Sequence, residues 1–348
     1  MNTGFKLNGQ SFVDANELLE FSKTLSEDSY CFFSNWFNNE DYIIVQTSGS
    51  TGTPKLIKLK KEFMRNSAMA TGTFFNLKEK TTALLCMPTN FIAGKMMLVR
   101  ALTLGWHLDI VAPKSNPLIN TDKTYDFSAM VPLQLQASLS EIHRVKKLIV
   151  GGGVVSTDLI EKIQGISTQV FATYGMTETI THIAVKKINN FLTLDKSSST
   201  ELCYKVLPGV VIKKDERSCL IIKAPKVSDK VIITNDVVQL ISETEFEWLG
   251  RYDNVINSGG IKLHPEVIEE KLSTILSQRF FVAGIPDTVL GEKMILVVEG
   301  NECKLDFGKN ILLTKYEHPK EVFFIPEFIE TETKKIQRKR TLDLVFSK

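Results

Sequence analysis

The stretch Thr47-Ser48-Gly49-Ser50-Thr51-Gly52-Thr53-Pro54-Lys55 packs hydroxyls, two glycines and a lysine directly behind the apolar run Ile43-Ile44-Val45. That run reads as a short buried strand, and the loop leaving it exposes backbone N–H groups between small side chains. With the positive charge of Lys55 added, the loop suits a polyanion such as a triphosphate. A Ser/Thr/Gly tract is more often a linker, but linkers seldom end in Pro-Lys between two apolar segments. A Walker P-loop is disfavoured, because it needs Gly-Lys-Ser/Thr opening a helix, whereas Lys55 follows Pro54 and precedes Leu56.

Such a loop needs a scaffold. Between residues 40 and 172, short apolar strands at 81–87, 107–111, 147–150 and 168–172 alternate with helical patterns at 60–75, 91–104, 132–142 and 156–164. The alternation predicts α/β layers around a largely parallel sheet. From about 202 to 249 the texture changes to closely spaced runs, Val210–Ile212, Leu220–Lys223, Val231–Ile233 and Val237–Ile241, which predict a small β subdomain. Gly250-Arg251-Tyr252-Asp253-Asn254 then separates this part from a new unit. There Pro265 opens an amphipathic helix with Val267, Ile268, Leu272, Ile275 and Leu276 on one face, and residues 281–348 mix strand and helix as a small α+β domain would. The expected organisation is a large N-terminal domain over 1–250 and a small C-terminal domain over 251–348.

The chain has 348 residues and a net charge of +2, enough length for more than one core and too little charge for a large nucleic-acid surface. By composition alone the basic tail Lys334-Lys335-Ile336-Gln337-Arg338-Lys339-Arg340 is a solvated charge run. Cysteines at 31, 86, 203, 219 and 303 show neither metal-ligand spacing nor a disulfide framework, which fits a reducing cytoplasm. Neither a signal-peptide pattern nor an apolar run approaching the roughly 20 residues of a bilayer span is seen, so secretion and membrane insertion are not expected. Residues 1–35, with the helical stretch 14–25, fit two roles: completing the sheet, or contacting a second copy in a homo-oligomer.

Further segments follow the phosphate loop in a defined order. They are Ile149-Val150-Gly151-Gly152-Gly153, Ala172-Thr173-Tyr174-Gly175-Met176-Thr177-Glu178, Thr234-Asn235-Asp236, Gly250-Arg251-Tyr252-Asp253 with Gly259-Gly260-Ile261-Lys262, and Thr331-Glu332-Thr333-Lys334-Lys335-Ile336-Gln337-Arg338. In order and approximate spacing, over about residues 40–340, the set resembles the adenylate-forming superfamily of acyl- and aryl-CoA synthetases, adenylation domains and luciferases. The resemblance implies a reaction in which a carboxylate attacks the α-phosphorus of ATP, releases pyrophosphate, and passes from the adenylate to a thiol. Two anions must meet, so positive charge and fixed dipoles are the main need.

By motif position, the resemblance implies that Thr47, Ser48, Gly49, Ser50, Thr51 and Gly52 cradle the β- and γ-phosphates, with Lys55 supporting the loop. Thr177 is then expected at the α-phosphate and Glu178 at Mg²⁺. Gly151, Gly152 and Gly153 offer a purine a surface without side chains, or form a tight strand-to-helix turn, and both readings hold together. Tyr174, next to Gly175, offers a ring to adenine. Asp236 is expected to accept from both ribose hydroxyls, although Asn235 replaces the usual preceding glycine, and Arg251 is expected near phosphate or ribose. Asp253 matches the hinge of a small domain that rotates between two half-reactions. In the first arrangement Lys335 reaches the carboxylate and α-phosphate, Lys334 standing where a glycine is usual. In the second, Gly259 and Gly260 shape a tunnel for coenzyme A.

The substrate class rests on a closer similarity. Chain economy before the phosphate loop, and the stretch Met87 to Arg100, are similar to o-succinylbenzoate-CoA ligases of menaquinone biosynthesis, where a Pro-Leu-Phe-His-x-Ser-Gly pattern is followed six residues later by arginine. Arg100 holds that position after Gly94, Asn90 lies within the pattern's span, and Lys95 is unusual on an apolar stretch. An arginine fork suits the carboxylate of this dianionic acid that does not react, with Lys95 assisting. Other readings are a ligase for another aryl or acyl acid, an enzyme loading a separate carrier protein, and a silent nucleotide-binding protein.

Overall fold

Leu84, Leu85, Leu148 and Val150 are all buried, as strands covered on both faces require. In a computed structural model, which describes residues 2–46, 56–190, 203–305, 313–331 and 336–346, they lie in the parallel part of a 12-stranded sheet. The chain runs through β1 (Lys6–Leu7), α1 (Ala15–Ser22), α2 (Glu27–Phe37), β2 (Tyr42–Gln46), β3 (Leu56–Lys60), α3 (Lys61–Phe75), β4 (Thr82–Leu85), α4 (Ile92–Leu104) and β5 (His107–Ile110). It continues through β6 (Tyr125–Met130), α5 (Pro132–Ala137), β7 (Val145–Val150), α6 (Thr157–Lys162), β8 (Gln169–Gly175) and β9 (His182–Lys187). Next come β10 (Tyr204–Val206), β11 (Val211–Lys214), β12 (Cys219–Lys223), β13 (Ile232–Leu240) and β14 (Glu245–Arg251).

The sheet order is β1-β5-β4-β6-β7-β8-β9-β10-β14-β13-β12-β11, parallel from β1 to β8 and antiparallel beyond. Alternation along the strands divides the core. Ala83, Leu85, Phe127 and Ala129 face α3, α4 and the aromatic side of α2, whereas Leu84, Cys86, Met130 and Leu148 face α5 and α6. The β region expected after residue 202 joins the parallel part edge to edge through β9 and β10. Residues 1–35 do complete the sheet: β1 pairs in parallel with β5, and Phe32 and Phe33 of α2 are buried in the main core.

Several elements depart from expectation. β6 was not anticipated, because its run Tyr125-Asp126-Phe127-Ser128 carries polar groups. Their partners lie across the sheet: Asp126 accepts from the Thr82 N–H and hydroxyl at 2.9 and 2.8 Å, and the Ser128 hydroxyl donates to Leu84 O at 2.9 Å. The two runs at 231–233 and 237–241 form one strand, β13, which places Thr234-Asn235-Asp236 in mid-strand. The helix expected over 132–142 stops at Ala137. Ile43 and Val45 are buried but Ile44 is half exposed, since β2 is one arm of a hairpin with β3.

A second sheet follows: β15 (Ile256–Ser258), β16 (Ile261–Leu263), then α7 (Pro265–Leu272), β17 (Phe280–Asp287), β18 (Gly291–Glu299), β19 (Glu321–Ile325) and α8 (Arg338–Phe346). One face is covered by Ile268 and Leu272 of α7 and the other by Leu342 and Val345 of α8. α7 ends at Leu272; of the two residues expected to extend its apolar face, Leu276 still packs in the same core, whereas Ile275 is 43% exposed. This sheet's helix is seated against the large one: a Cβ on Gly250 would lie 2.2 Å from Glu266 Oε2, and the Thr157 and Ser273 hydroxyls meet at 2.8 Å.

Arg338, three residues beyond Lys335, donates to Glu269 Oε2 at 2.7 Å and to Val282 O at 3.2 Å. Burial pushes the Glu269 carboxyl up to about 7, against the pull of Arg338 and of the Val282 N–H. A carboxyl whose folded pKa is raised stabilises the fold fully below its unfolded value, near 4.3, and loses that contribution as pH rises through 7. Between pH 5 and pH 8, wild-type protein should therefore lose urea resistance relative to Glu269→Gln. Parallel pH profiles for the two proteins would show that this carboxyl does not titrate in that range.

Candidate functional site

The carboxyl ends of β4, β7 and β8 bring the glycine loop, the Tyr-Gly-Met-Thr-Glu motif and the start of α4 to one side of the sheet, where open α/β sheets bind ligands. Gly151 continues β7 with its N–H donating to Met130 O at 3.1 Å, and a Cβ there would lie 2.4 Å from Thr173 Oγ1. Gly152 sits at φ +81, so the turn itself demands glycine.

After β8, a 3-10 turn over Thr177–Thr179 presents Thr177 half-buried and Glu178 exposed. Buried Thr179 holds the turn: its hydroxyl accepts from the Met176 N–H at 3.1 Å and lies 2.9 and 2.8 Å from Met176 O and Thr181 O. Ile180 then adopts φ 68 and ψ −60, with the Thr181 N–H donating to Thr179 O at 2.8 Å. This is the strained γ-turn that β-branched residues avoid, and strain of this kind collects at functional sites. Gly175 permits the tight return, because a Cβ would come within 2.3 Å of Thr181 O. Among the described residues no group of three or more acidic, His or Cys side chains could cage a metal. One exposed carboxylate at Glu178 fits Mg²⁺, which typically takes one or two carboxylates together with substrate phosphates.

Asp236, buried in β13, gathers donors from two strands, β8 and β14. Tyr174 donates to Oδ2 at 2.7 Å, Trp248 Nε1 donates to Oδ1 at 3.2 Å, and Arg251 approaches Oδ1 at 3.5 Å. Burial and the Asp236 carboxylate push the Tyr174 phenol far up, so it remains a neutral donor. Its ring meets Phe246 and Tyr204 edge to face at 5.2 and 5.8 Å. Trp248, on β14, is an Asp236 partner that the sequence pattern does not reveal.

Around the expected hinge, Asn235 donates to Asp253 Oδ2 at 3.2 Å and accepts from Arg217 Nη1 at 3.0 Å, while Arg251 lies 3.7 Å from Asp253. Arg217 also stands over the Tyr252 ring at 5.1 Å. Gly259 and Gly260, at φ +59 and +83, make the two-residue turn between β15 and β16. Thr47, Ser48, Gly49, Ser50, Thr51, Gly52, Lys55, Lys334 and Lys335 lie outside the described residues; Gln46 and Leu56, which flank the first group, pair across the β2–β3 hairpin.

Arg100 is 2% exposed on α4. Its Nε donates to Thr71 Oγ1 at 3.4 Å, Nη1 reaches Met97 Sδ at 3.7 Å, and Nη2 lies 3.5 Å from His182 Nδ1. Among the described residues no carboxylate pairs with it. Burial pulls the guanidinium down to about 9, still cationic at neutral pH, and burial together with Arg100 holds His182 neutral, well below its usual range. Lys95 does not join this group. Its ammonium donates to Thr89 O at 2.9 Å and Asn90 O at 2.6 Å, tying down a loop whose Asn90 is exposed. Thr71 and His182 escape sequence reasoning, though a hydroxyl on the apolar stripe of Met64, Ala68 and Phe75, and a histidine opening an apolar strand, were the signals.

The family model for AMP-binding enzymes matches residues 11–219. The chain is similar to the 2-succinylbenzoate–CoA ligases of Lactococcus lactis, 26% identical over 85% of this chain and 70% of the relative, and of a Geobacillus species, 26% identical over 90% and 71%. Among solved structures, an acyl-CoA synthetase (AMP-forming)/AMP-acid ligase II-like protein from Dyadobacter fermentans is 33% identical, with 94% of this chain and 98% of that chain covered and a TM-score of 0.61. The o-succinylbenzoate coenzyme A synthetase of Bacillus subtilis, in complex with ATP and magnesium ion, shares the fold at a TM-score of 0.73 and 20% identity, over 86% and 69% of the two chains.

Proposed function

Because this chain belongs to the AMP-binding enzyme family, we propose that it is an AMP-forming acid–thiol ligase that converts o-succinylbenzoate to its coenzyme A thioester through an acyl-adenylate. Relatives named for that ligation support the reading. The observation that carries the choice of acid is Arg100: a cation 2% exposed, without a carboxylate partner among the described residues, asks for an anion from outside the chain. A diacid supplies one carboxylate to react and one to answer the guanidinium.

In this reading residues 47–52 and Lys55 hold the β- and γ-phosphates, and Thr177 addresses the α-phosphate from the turn that Thr179 braces. The glycine face at 151–153 receives the purine, and Asp236 the ribose, its orientation set by Tyr174, Trp248 and Arg251. Mg²⁺ on Glu178 would neutralise triphosphate charge. Lys335 brings a positive charge to the two anions that must meet. Domains over 1–250 and 251–348 then alternate about Asp253, Lys335 leaving and Gly259-Gly260 entering the thiol path. The scattered cysteines fit a reducing cytoplasm.

Pyrophosphate release measured with Mg-ATP and a panel of acids, with mass detection of the coenzyme A product, tests this. Turnover should be highest with o-succinylbenzoate and clearly lower with the same acid lacking its ring carboxylate. Equal turnover of the two would remove the diacid from the proposal.

A further inference from the structure

Arg100 does not stand alone in its burial, and the groups that frame it belong to elements far apart in the chain: Thr71 on α3 and His182 at the head of β9. Both are buried, at 0% and 5% exposure. Hydrogen-bond accounting fixes their roles. The Thr71 hydroxyl donates its one proton to Ser67 O at 3.0 Å, so toward Arg100 Nε and His182 Nε2, each 3.4 Å away, it accepts only. His182 must then carry its proton on Nε2, which leaves the Nδ1 lone pair facing Arg100 Nη2 at 3.5 Å. The ring is an acceptor for the guanidinium and a donor to the threonine, a closed loop of three side chains.

We infer that Thr71 and His182 are positioning residues that set the enzyme's preference for a second carboxylate, acting through Arg100; this rests on the diacid reading above. A guanidinium has five N–H groups. Thr71, Met97 and His182 take one each, so two remain for a bidentate carboxylate. Without the frame, a side chain with several rotatable bonds is free to swing from the geometry that a two-point match requires. The frame's contacts, at 3.4–3.5 Å, lie at the long end for hydrogen bonds.

The test compares kcat/KM for o-succinylbenzoate with kcat/KM for the same acid lacking the ring carboxylate, in wild type, Thr71→Val, Thr71→Ser and His182→Leu. Valine keeps the shape of threonine and removes the acceptor, whereas serine keeps the acceptor. The wild-type preference should fall by about tenfold or more in Thr71→Val and His182→Leu, with the KM for ATP unchanged, and Thr71→Ser should retain it. If wild type discriminates and both frame variants discriminate as strongly, the positioning role is overturned while the diacid reading stands. An equal loss on both acids overturns it as well, since a general structural defect would then suffice. Absence of discrimination in wild type brings down the diacid reading, and this inference with it. Should Thr71→Val fail to fold, the His182→Leu ratio alone decides between the first two outcomes.

Discussion

Arg100→Met should leave the unliganded protein within about 1 kcal/mol of wild-type stability, or above it, while costing roughly 10²–10³-fold in kcat/KM for o-succinylbenzoate. The two halves have one cause. A guanidinium at 2% exposure has lost its water, and the described structure returns only a hydroxyl, a thioether and an imidazole nitrogen. Replacing a buried ion by an apolar side chain of similar volume is commonly neutral or stabilising, partly offset here by the unpaired His182 acceptor, at about 1–3 kcal/mol. In the complex the same charge meets a carboxylate, and removing one partner of such a buried pair typically costs about 3–5 kcal/mol. The KM for ATP should not move. Urea unfolding and steady-state kinetics on one preparation check both halves, and a destabilised variant with normal acid kinetics would make Arg100 a structural residue instead.

Lys335→Ala should lower the rate of adenylate formation by roughly 10²–10³, the usual worth of a well-placed group that stabilises developing charge. Coenzyme A thioester formation from supplied acyl-adenylate should stay within a few-fold of wild type, because in the proposed rotation about Asp253 the lysine has left the site by then. Single-turnover measurement of each half-reaction separates these effects. Equal loss in both would mean that the C-terminal domain does not exchange positions, or that another residue bears the charge. Lys334→Ala, carried alongside, decides between the two adjacent lysines: only the variant lacking the working lysine should lose the first half-reaction.

The sequence by itself determined the order of the motifs and therefore the chemistry. Glycine at 151, 152 and 175 and the periodic runs that became β4, β5, β7, β8, α3 and α4 are local properties, readable because helix and strand periods and turn requirements involve neighbours. Through one motif position it also made Arg100 the candidate for the second carboxylate of the proposed substrate. What only the tertiary structure decided are the contacts between positions far apart. β6 stayed hidden because Asp126 and Ser128 find their partners on β4, 44 residues away, so their polarity misleads a periodicity count. Asp236 fell between two expected strand runs, and one continuous strand, β13, instead brings it to Tyr174 and Trp248. The frame around Arg100 joins residues separated by 29, 82 and 111 positions. No local pattern encodes that frame, since hydrogen-bond partners in a core are chosen by which elements pack together, and desolvation then makes each choice costly to leave unmade.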